Sequence, residues 1–126
     1  MRWLQLQCDG DRTVYAPGDS LQGSASWTLD FTPREIEVRL YWKTAGKGTT
    51  DVTIVDRVSL GGGADEGRQP FQFRLPRQPY SFSGRLVSLV WGLELAVEPG
   101  REAHHLELVI APGGRAIVLH AGDGTA

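Results

Sequence analysis

The sequence predicts an all-β protein, and three observations carry this prediction. Apolar residues recur at every second position along most of the chain, as in strands with one buried face. No segment keeps the 3.6-residue period of an amphipathic helix. Residue pairs that contain glycine or proline separate the alternating segments, and such pairs are typical of turns. Because 126 residues suit one domain, we expect one sandwich of two antiparallel sheets, immunoglobulin-like in architecture.

The first three strands are predicted from the apolar residues that share a face. These residues are, strand by strand, Leu4, Leu6 and Cys8; Leu21, Gly23, Ala25, Trp27 and Leu29; and Ile36, Val38, Leu40 and Trp42. The segment from Thr50 to Leu60 is also strand-like, but its alternation changes phase between Ile54 and Val55. A change of phase within a strand predicts a β-bulge at that point.

The later strands have clear signals as well. Phe71, Phe73 and Leu75 form one face of a strand that Pro76 ends. The segment RLVSLVWGLELAV is apolar on both faces, which predicts a central strand. HHLELVIAP and RAIVLH flank Pro112-Gly113-Gly114, so we expect an antiparallel hairpin there. The predicted domain covers residues 1–121, and residues 122–126 form a polar tail.

The turn that opens the second strand has a physical explanation. Pro17 sets its own φ and Gly18 allows a positive φ, which together suit a type II turn. Asp19 is expected to accept backbone N–H bonds just beyond the turn. Gly23 lies in the middle of the strand that follows, and a glycine there predicts the close approach of another backbone.

Composition and charge argue against several classes of partner. The net charge is −2 and the basic residues are scattered, so neither nucleic acid nor an anionic membrane surface is an expected partner. No run approaches the roughly 20 apolar residues of a membrane span, and no signal peptide is evident. Cys8 is the single cysteine and is expected to be a buried thiol. We therefore expect a soluble protein of the cytoplasm.

Three motifs, in this order, resemble the N-terminal half of arrestin-like proteins. They are P-G-D followed by a glycine, then F-x-F-x-L-P, then P-x-S-F-x-G, within a stretch from Leu4 to Ala111. The motif residues are Pro17, Gly18, Asp19, Gly23, Phe71, Phe73, Pro76, Pro79, Ser81, Phe82 and Gly84. The resemblance implies an arrestin-like β-sandwich and a non-enzymatic adaptor or scaffold.

The chain also departs from that family. Well-known arrestins carry two sandwiches in tandem, whereas this chain has length for one. Arg2 is the only basic residue before Arg12, so the paired lysines that bind receptor phosphates in those members have no counterpart near the N-terminus. The resemblance therefore does not imply receptor desensitisation.

Candidate catalytic and metal-binding residues do not form a convincing group. His104 and His105 are adjacent on a predicted strand and point to opposite faces, and His120 would lie only diagonally from His104. Ser81, Ser83 and Ser88 lack the G-x-S-x-G setting of a nucleophile. The glycines at 61–63 lack the lysine and hydroxyl of a phosphate-binding loop. We expect no enzyme activity, no cofactor and no metal.

Glu94 is the one acidic residue inside the most apolar strand. If it is buried, it needs a cationic partner, because an unpaired buried charge costs several kcal/mol. Arg39 and Arg74 are the arginines on neighbouring strands that could provide it. The sequence leaves the burial of Glu94 open.

A carbohydrate- or small-ligand-binding module is the alternative class, because the chain has four tryptophans. Trp27, Trp42 and Trp91 lie on the apolar faces of their strands and are expected in the core. Trp3, Tyr41 and Tyr80 are the aromatic residues expected to be exposed. One exposed tryptophan is a weak signal for a sugar-stacking platform.

We therefore expect a domain that binds another protein by strand addition at an open sheet edge or by docking on a sheet face. The C-terminal strand is apolar on both faces and carries no proline or lysine. Ala116 and Val118 have no predicted cover, so they mark an expected interaction edge. A homodimer joined across that strand is a further expectation.

Overall fold

The computed structural model describes residues 2–46, 48–84, 87–100, 103–114 and 117–118. Strands make up most of this part of the chain, and its two short 3₁₀ turns are Asp9–Asp11 and Pro112–Gly114. The strands are β1 (Trp3–Cys8), β2 (Val14–Tyr15), β3 (Ser20–Thr28), β4 (Glu35–Gly46), β5 (Thr49–Gly61), β6 (Glu66–Arg74), β7 (Phe82–Ser83), β8 (Val87–Glu98), β9 (Ala103–Ile110) and β10 (Ile117–Val118). The prediction of an all-β sandwich is confirmed.

The described strands form two sheets that pack face to face. The smaller sheet has the order β1-β3-β6 and is antiparallel throughout. The larger sheet has the order β10-β7-β8-β4-β5, with β9 also paired to β8 and β2 paired to β9. One side of β8 pairs with β4 along its whole length, and the other side pairs first with β7 and then with β9. The predicted central position of this strand is confirmed.

The core lies between the inner faces of the two sheets. Alternation along each strand places one apolar row in this layer and leaves the other row toward solvent. The fully or almost fully buried residues include Leu6, Leu21, Ala25, Trp27, Phe71 and Phe73 from the smaller sheet and Val38, Leu40, Trp91, Leu93, Leu95 and Leu108 from the larger.

The change of phase in β5 marks a bulge, as predicted. Tyr41 of β4 lies opposite Ile54, whereas Leu40 lies opposite Asp56. Val55 is the extra residue between them, and it has no partner of its own in the β4 register. The bulge changes which face the following side chains occupy.

The predicted C-terminal hairpin is wrong. In the described residues, β10 pairs in parallel with β7, where Ile117 lies opposite Phe82, instead of turning back on β9. The end of β9 already has another neighbour, because Val14 and Tyr15 of β2 pair in parallel with it. These two short parallel pairs are additions to the antiparallel pattern that the sequence predicts.

Gly23 is a point of close approach between β3 and β1. It lies opposite Cys8, and a Cβ at Gly23 would collide with the carbonyl oxygen of Gln7. The same Cβ would lie 2.9 Å from Cζ of Phe71 and 3.1 Å from Cα of Cys8. The predicted close approach of another backbone is confirmed.

Gly23→Val should lower the free energy of unfolding by at least about 2 kcal/mol, because backbone atoms of β1 cannot move away without breaking the sheet. Ser26→Val is the matched control, since it adds the same side chain to the opposite face of β3, and it should change stability by less than about 0.5 kcal/mol. Urea unfolding followed by tryptophan fluorescence measures both variants. Equal stability of the two variants would contradict the close approach.

Candidate functional site

The P-G-D motif forms a turn that is tied to the end of β6. Gly18 has φ +82°, and the Asp19 N–H donates to the Ala16 carbonyl at 3.1 Å, as in a type II turn. The Gly18 N–H donates to the Pro76 carbonyl at 3.3 Å, and the Leu75 N–H donates to the Asp19 carbonyl at 2.8 Å. The turn and the F-x-F-x-L-P motif therefore hold each other in register.

The expected direction of the Asp19 side chain is wrong. Its carboxylate accepts the N–H of Ala16 at 2.9 Å, which precedes the turn, and pairs with Arg12 at 2.9 Å. The Pro17-Gly18 turn folds the chain back, so the N–H closest to this carboxylate is upstream of it. The Asp19 carboxylate therefore stabilises the turn by bonding to the residue that precedes it.

The P-x-S-F-x-G motif anchors the start of the larger sheet. The Trp91 indole N–H donates to the Pro79 carbonyl at 2.9 Å. Ser81 is buried, its hydroxyl accepts the Ile110 N–H at 3.0 Å, and its own N–H donates to the Ile110 carbonyl at 2.7 Å. Phe82 begins β7 and packs partly against the core, and Gly84 follows that strand.

The remaining motif residues are parts of the core. Phe71 and Phe73 are buried and their rings meet edge to face at 5.9 Å between centroids.

Val118 belongs to β10, which ends the path of the larger sheet, and Ala116 lies outside the described residues. The motif residues with described contacts hold the framework together, and the exposed surface chemistry of the protein lies elsewhere.

That chemistry lies on the outer face, by which we mean the solvent side of β4, β5, β8 and β9. Glu94 of β8 accepts a hydrogen bond from Arg39 of β4 at 2.9 Å. Its other oxygen lies 2.8 Å from Nε2 of His105 on β9, and Arg39 also pairs with Glu37. The Glu94 side chain is 23% exposed. The predicted Arg39 partner is confirmed, whereas the His105 contact was not foreseen.

Arg39 is the centre of this charge network. The hydrogen bond that Arg39 donates to Glu37 raises the pKa of Arg39, partial desolvation opposes this, and the bond donated to Glu94 adds to the increase. Direct opposition in the register explains the arrangement, since Arg39 lies opposite Glu94 and Glu94 lies opposite His105. Cross-strand pairs of opposite charge each stabilise a sheet by roughly 0.2–1 kcal/mol.

Tyr41 is buried, which contradicts the expectation that it is exposed. It lies opposite Gly92, and a Cβ at Gly92 would lie 2.6 Å from Cζ of the tyrosine ring. The ring therefore lies over the glycine, and Tyr41 is only 8% exposed. Its edge meets the His105 ring at 6.0 Å between centroids. Burial raises the pKa of Tyr41, and the carboxylates of Glu94 and Glu107 add to this effect.

A shallow groove of about 580 Å³ runs beside this network toward the edge of the sheet. Its inner end is polar and is formed by Arg39, Glu94 and His105. Its outer end is lined by Val52 and Ile54 of β5 and by Lys43, Tyr41 and Thr50. A groove with apolar side chains beside fixed charges is suited to binding a side chain or a peptide segment.

The β5 edge, meaning the unpaired side of β5, borders this groove. β5 has 13 residues and is the last strand of the larger sheet on this side. Val52, Ile54 and Val55 are 59%, 37% and 42% exposed. Near the C-terminal end of β5, the side-chain amide of Gln69 donates to the Leu60 carbonyl at 3.0 Å. Because Gln69 belongs to β6, β6 covers this end of the strand. Within the described residues, no strand is hydrogen-bonded to the stretch from Thr50 to Val58 on that side.

The histidines do not meet. His104 lies opposite Leu95 and His105 lies opposite Glu94, so they point to opposite faces as predicted, while His120 lies outside the described residues. Among the residues that the structure describes, no three His, Cys, Asp or Glu side chains come together as metal ligands. The described part contains no helix that is long and apolar enough to span a membrane.

The burial of the tryptophans agrees only in part with the prediction. Trp27 and Trp91 are buried, and Trp3 and Tyr80 are exposed, all as expected. Trp42, which was expected in the core, is only partly buried.

Comparisons with known proteins bear on the fold. No protein-family model matches this chain, and no curated protein matches it in sequence. The sporulation control protein Spo0M from Bacillus subtilis is similar in structure, with a TM-score of 0.65 and 17% identity over 87% of this chain. The chain spans about half of that protein, 49% of its length. Spo0M is arrestin-like in fold, so this likeness supports the arrestin-like sandwich as a fold.

Two further structures align less well. A β-glucosidase from Listeria innocua has a TM-score of 0.47 and 12% identity, over 92% of this chain and 16% of the enzyme. The alkylpurine DNA glycosylase AlkC from Pseudomonas fluorescens has a TM-score of 0.37 and 14% identity, over 84% of this chain and 30% of the enzyme. Neither alignment is close enough to inform the function of this chain.

The raised pKa of Tyr41 makes stability depend on pH in a defined direction. The unfolded chain ionises this tyrosine near its usual pKa of about 10, while the folded protein keeps it neutral to higher pH. The stabilisation is therefore complete below about pH 10 and is lost as the pH rises through the folded pKa. Tyr41→Phe should reduce the alkaline loss of stability, by at most about 1.4 kcal/mol per pH unit.

Urea unfolding of both proteins at intervals from pH 7 to pH 11.5 measures this difference. The wild type and Tyr41→Phe should keep a constant difference in unfolding free energy up to about pH 10, and above it the wild type should lose stability relative to the variant. Parallel curves over the whole range would show that the Tyr41 hydroxyl ionises equally in both states.

Proposed function

We propose that this chain is a non-enzymatic protein-interaction domain of the cytoplasm, an adaptor or scaffold that binds its partner at the β5 edge and the outer face beside it. The carrying observation is the exposure of Val52, Ile54 and Val55 on a strand that ends its sheet. An edge strand with exposed apolar side chains is a template for pairing with a segment of another chain. The fixed charges of the adjoining groove add orientation to that pairing.

The likeness in fold supports a regulatory role. The similar structure is that of a protein described as a sporulation control protein. The arrestin-like motifs in the sequence support the same class, since the resemblance implies an adaptor. Cys8 is a buried free cysteine, which suits a reducing compartment.

A carbohydrate- or small-ligand-binding module is the second candidate, and Trp3 is the observation that favours it. Its side chain is 44% exposed at the start of β1, in a row whose neighbours on the smaller sheet include Gln5 and Thr28. One indole offers a smaller stacking surface than the apolar edge of β5 offers to a peptide. Quenching of tryptophan emission by soluble sugars, lost in Trp3→Ala, would favour this second class.

Affinity capture with matched valine variants tests the first proposal. The whole chain is immobilised as wild type, Val52→Lys and Val14→Lys, and the proteins retained from the cytoplasm of the source cells are quantified by mass spectrometry. Val14 is an exposed valine on β2, away from β5, at 40% exposure. Val52→Lys should reduce retention of the specific partner at least tenfold because it places a charge on the apolar edge, and Val14→Lys should retain it.

Circular dichroism and urea unfolding confirm that both lysine variants are folded. Equal retention by wild type and Val52→Lys would contradict binding at the β5 edge. Loss of retention in both variants would show that any added lysine disrupts binding, which also contradicts a site confined to β5.

A homodimer through the C-terminal strand is a separate proposal about assembly. β10 ends the other side of the larger sheet, where it pairs with β7 through Val118 and Ser83. Light scattering at micromolar concentration should give a dimer for the wild type and a monomer for Val118→Lys, because a lysine on an edge strand opposes pairing. A wild type that remains monomeric at high concentration would contradict the dimer, without bearing on capture at β5.

A further inference from the structure

The pairing of β5 with β4 determines which side of the sheet each β5 residue occupies. Val52 and Ile54 lie opposite Lys43 and Tyr41, whose side chains line the outer groove. Residues that alternate with these two point to the other side, which we call the inner side. Thr53 and Asp51 are the alternating residues, opposite Trp42 and Thr44.

The bulge returns a second acid to the inner side. Asp56 lies opposite Leu40, which is fully buried in the core layer. If Val55 were an ordinary strand residue and not a bulge, alternation would place Asp56 on the outer face together with Ile54. The inner side of the β5 edge therefore carries Asp51 and Asp56, while its outer side from Thr50 to Ile54 carries no charge.

Both acids are available to a partner. Asp51 and Asp56 are exposed, and neither forms a salt bridge within the described part of the chain. One oxygen of Asp56 accepts the N–H of Arg57 at 2.8 Å, which holds the carboxylate beside the strand. Carboxylates placed at a strand edge in this way attract cationic side chains on the strand that pairs next.

A second copy of this chain is a poor match for the same edge. Arg57 lies opposite Arg39 on the outer side, whereas both acids lie on the inner side. Side chains that are directly opposite across a continuous sheet share one side, so Arg57 of one copy cannot face Asp51 or Asp56 of another. Self-pairing of β5 would therefore leave the acids of each copy without a compensating base on the facing strand.

We infer that the β5 edge accepts an extended segment of a partner protein with the pattern basic–apolar–any–apolar–basic, an inference that rests on the proposed function. Five consecutive residues of a regular strand would lie opposite Asp51, Val52, Thr53, Ile54 and the Val55–Asp56 bulge. The two basic side chains meet the acids on the inner side, and the two apolar side chains cover Val52 and Ile54 on the outer side. The pattern is symmetric, so it fits a parallel or an antiparallel added strand.

Two labelled peptides test the pattern by fluorescence polarisation with the whole chain. The first has the sequence Ser-Lys-Val-Thr-Val-Lys-Ser, and the second has glutamate in place of both lysines. The wild type should bind the lysine peptide at least about tenfold more tightly, and added salt should weaken this binding. The double variant Asp51→Lys with Asp56→Lys should reverse the preference.

Asp65→Lys with Glu66→Lys is the matched control, because both residues are exposed acids at the start of β6. This control has the same change in net charge and should keep the wild-type preference. Circular dichroism confirms that both double variants are folded.

The remaining outcomes separate this inference from the proposed function. If neither peptide binds, or both bind equally, while Val52→Lys still abolishes capture, the basic pattern is wrong and binding at β5 stands. Equal binding of the lysine peptide by both double variants places it elsewhere on the surface and also overturns the inference. If capture does not depend on Val52, the proposed function fails. A peptide preference that still reverses in the double variant of Asp51 and Asp56 would then describe how the β5 edge binds peptides and not the function of the protein.

Discussion

The pairing of β8 with β4 is the interaction on which the rest of the structure depends. The two strands pair from Glu35 opposite Glu98 to Gly46 opposite Val87, and their inner rows supply much of the core of the larger sheet. The other side of β8 must satisfy its remaining backbone groups, and β7 and β9 do so in succession. β5, β2 and β10 then attach to strands that this pair has already positioned.

The outer face follows from that register. Arg39 and Glu94 form their pair because the register places them opposite each other, and the same rule brings His105 to Glu94. Gly92 leaves room over the sheet, and the Tyr41 ring fills it. Because Tyr41 is buried there, the exposed apolar residues of the groove are Val52 and Ile54, which lie on β5. Packing in the centre of the sheet thus sets the position of the exposed apolar surface at its edge.

The sequence predicts local features well and long-range pairings poorly. Alternation identifies the inner rows, and the change of phase at Val55 identifies the bulge. The parallel pairing of β10 with β7 has no local signal, because any open edge could receive so short a strand. The Glu94–His105 contact depends in the same way on the register of β9. The burial of Tyr41 did have a signal: a glycine inside an apolar strand leaves a gap that an aromatic on the neighbouring strand can cover.

The edges of the two sheets differ in how they oppose further pairing. β6 ends the smaller sheet and contains Pro70, which has no N–H to donate to an added strand. β5 contains neither proline nor lysine, and from Asp51 to Asp56 its protection consists of one bulge and two acids. Charges that only prevented pairing would be effective on either side of the strand. Here the bulge keeps both acids on the inner side, while the outer side is uncharged from Thr50 to Ile54 and its next charge is Arg57. This separation of charge from apolar surface favours selection among added strands over exclusion of all of them.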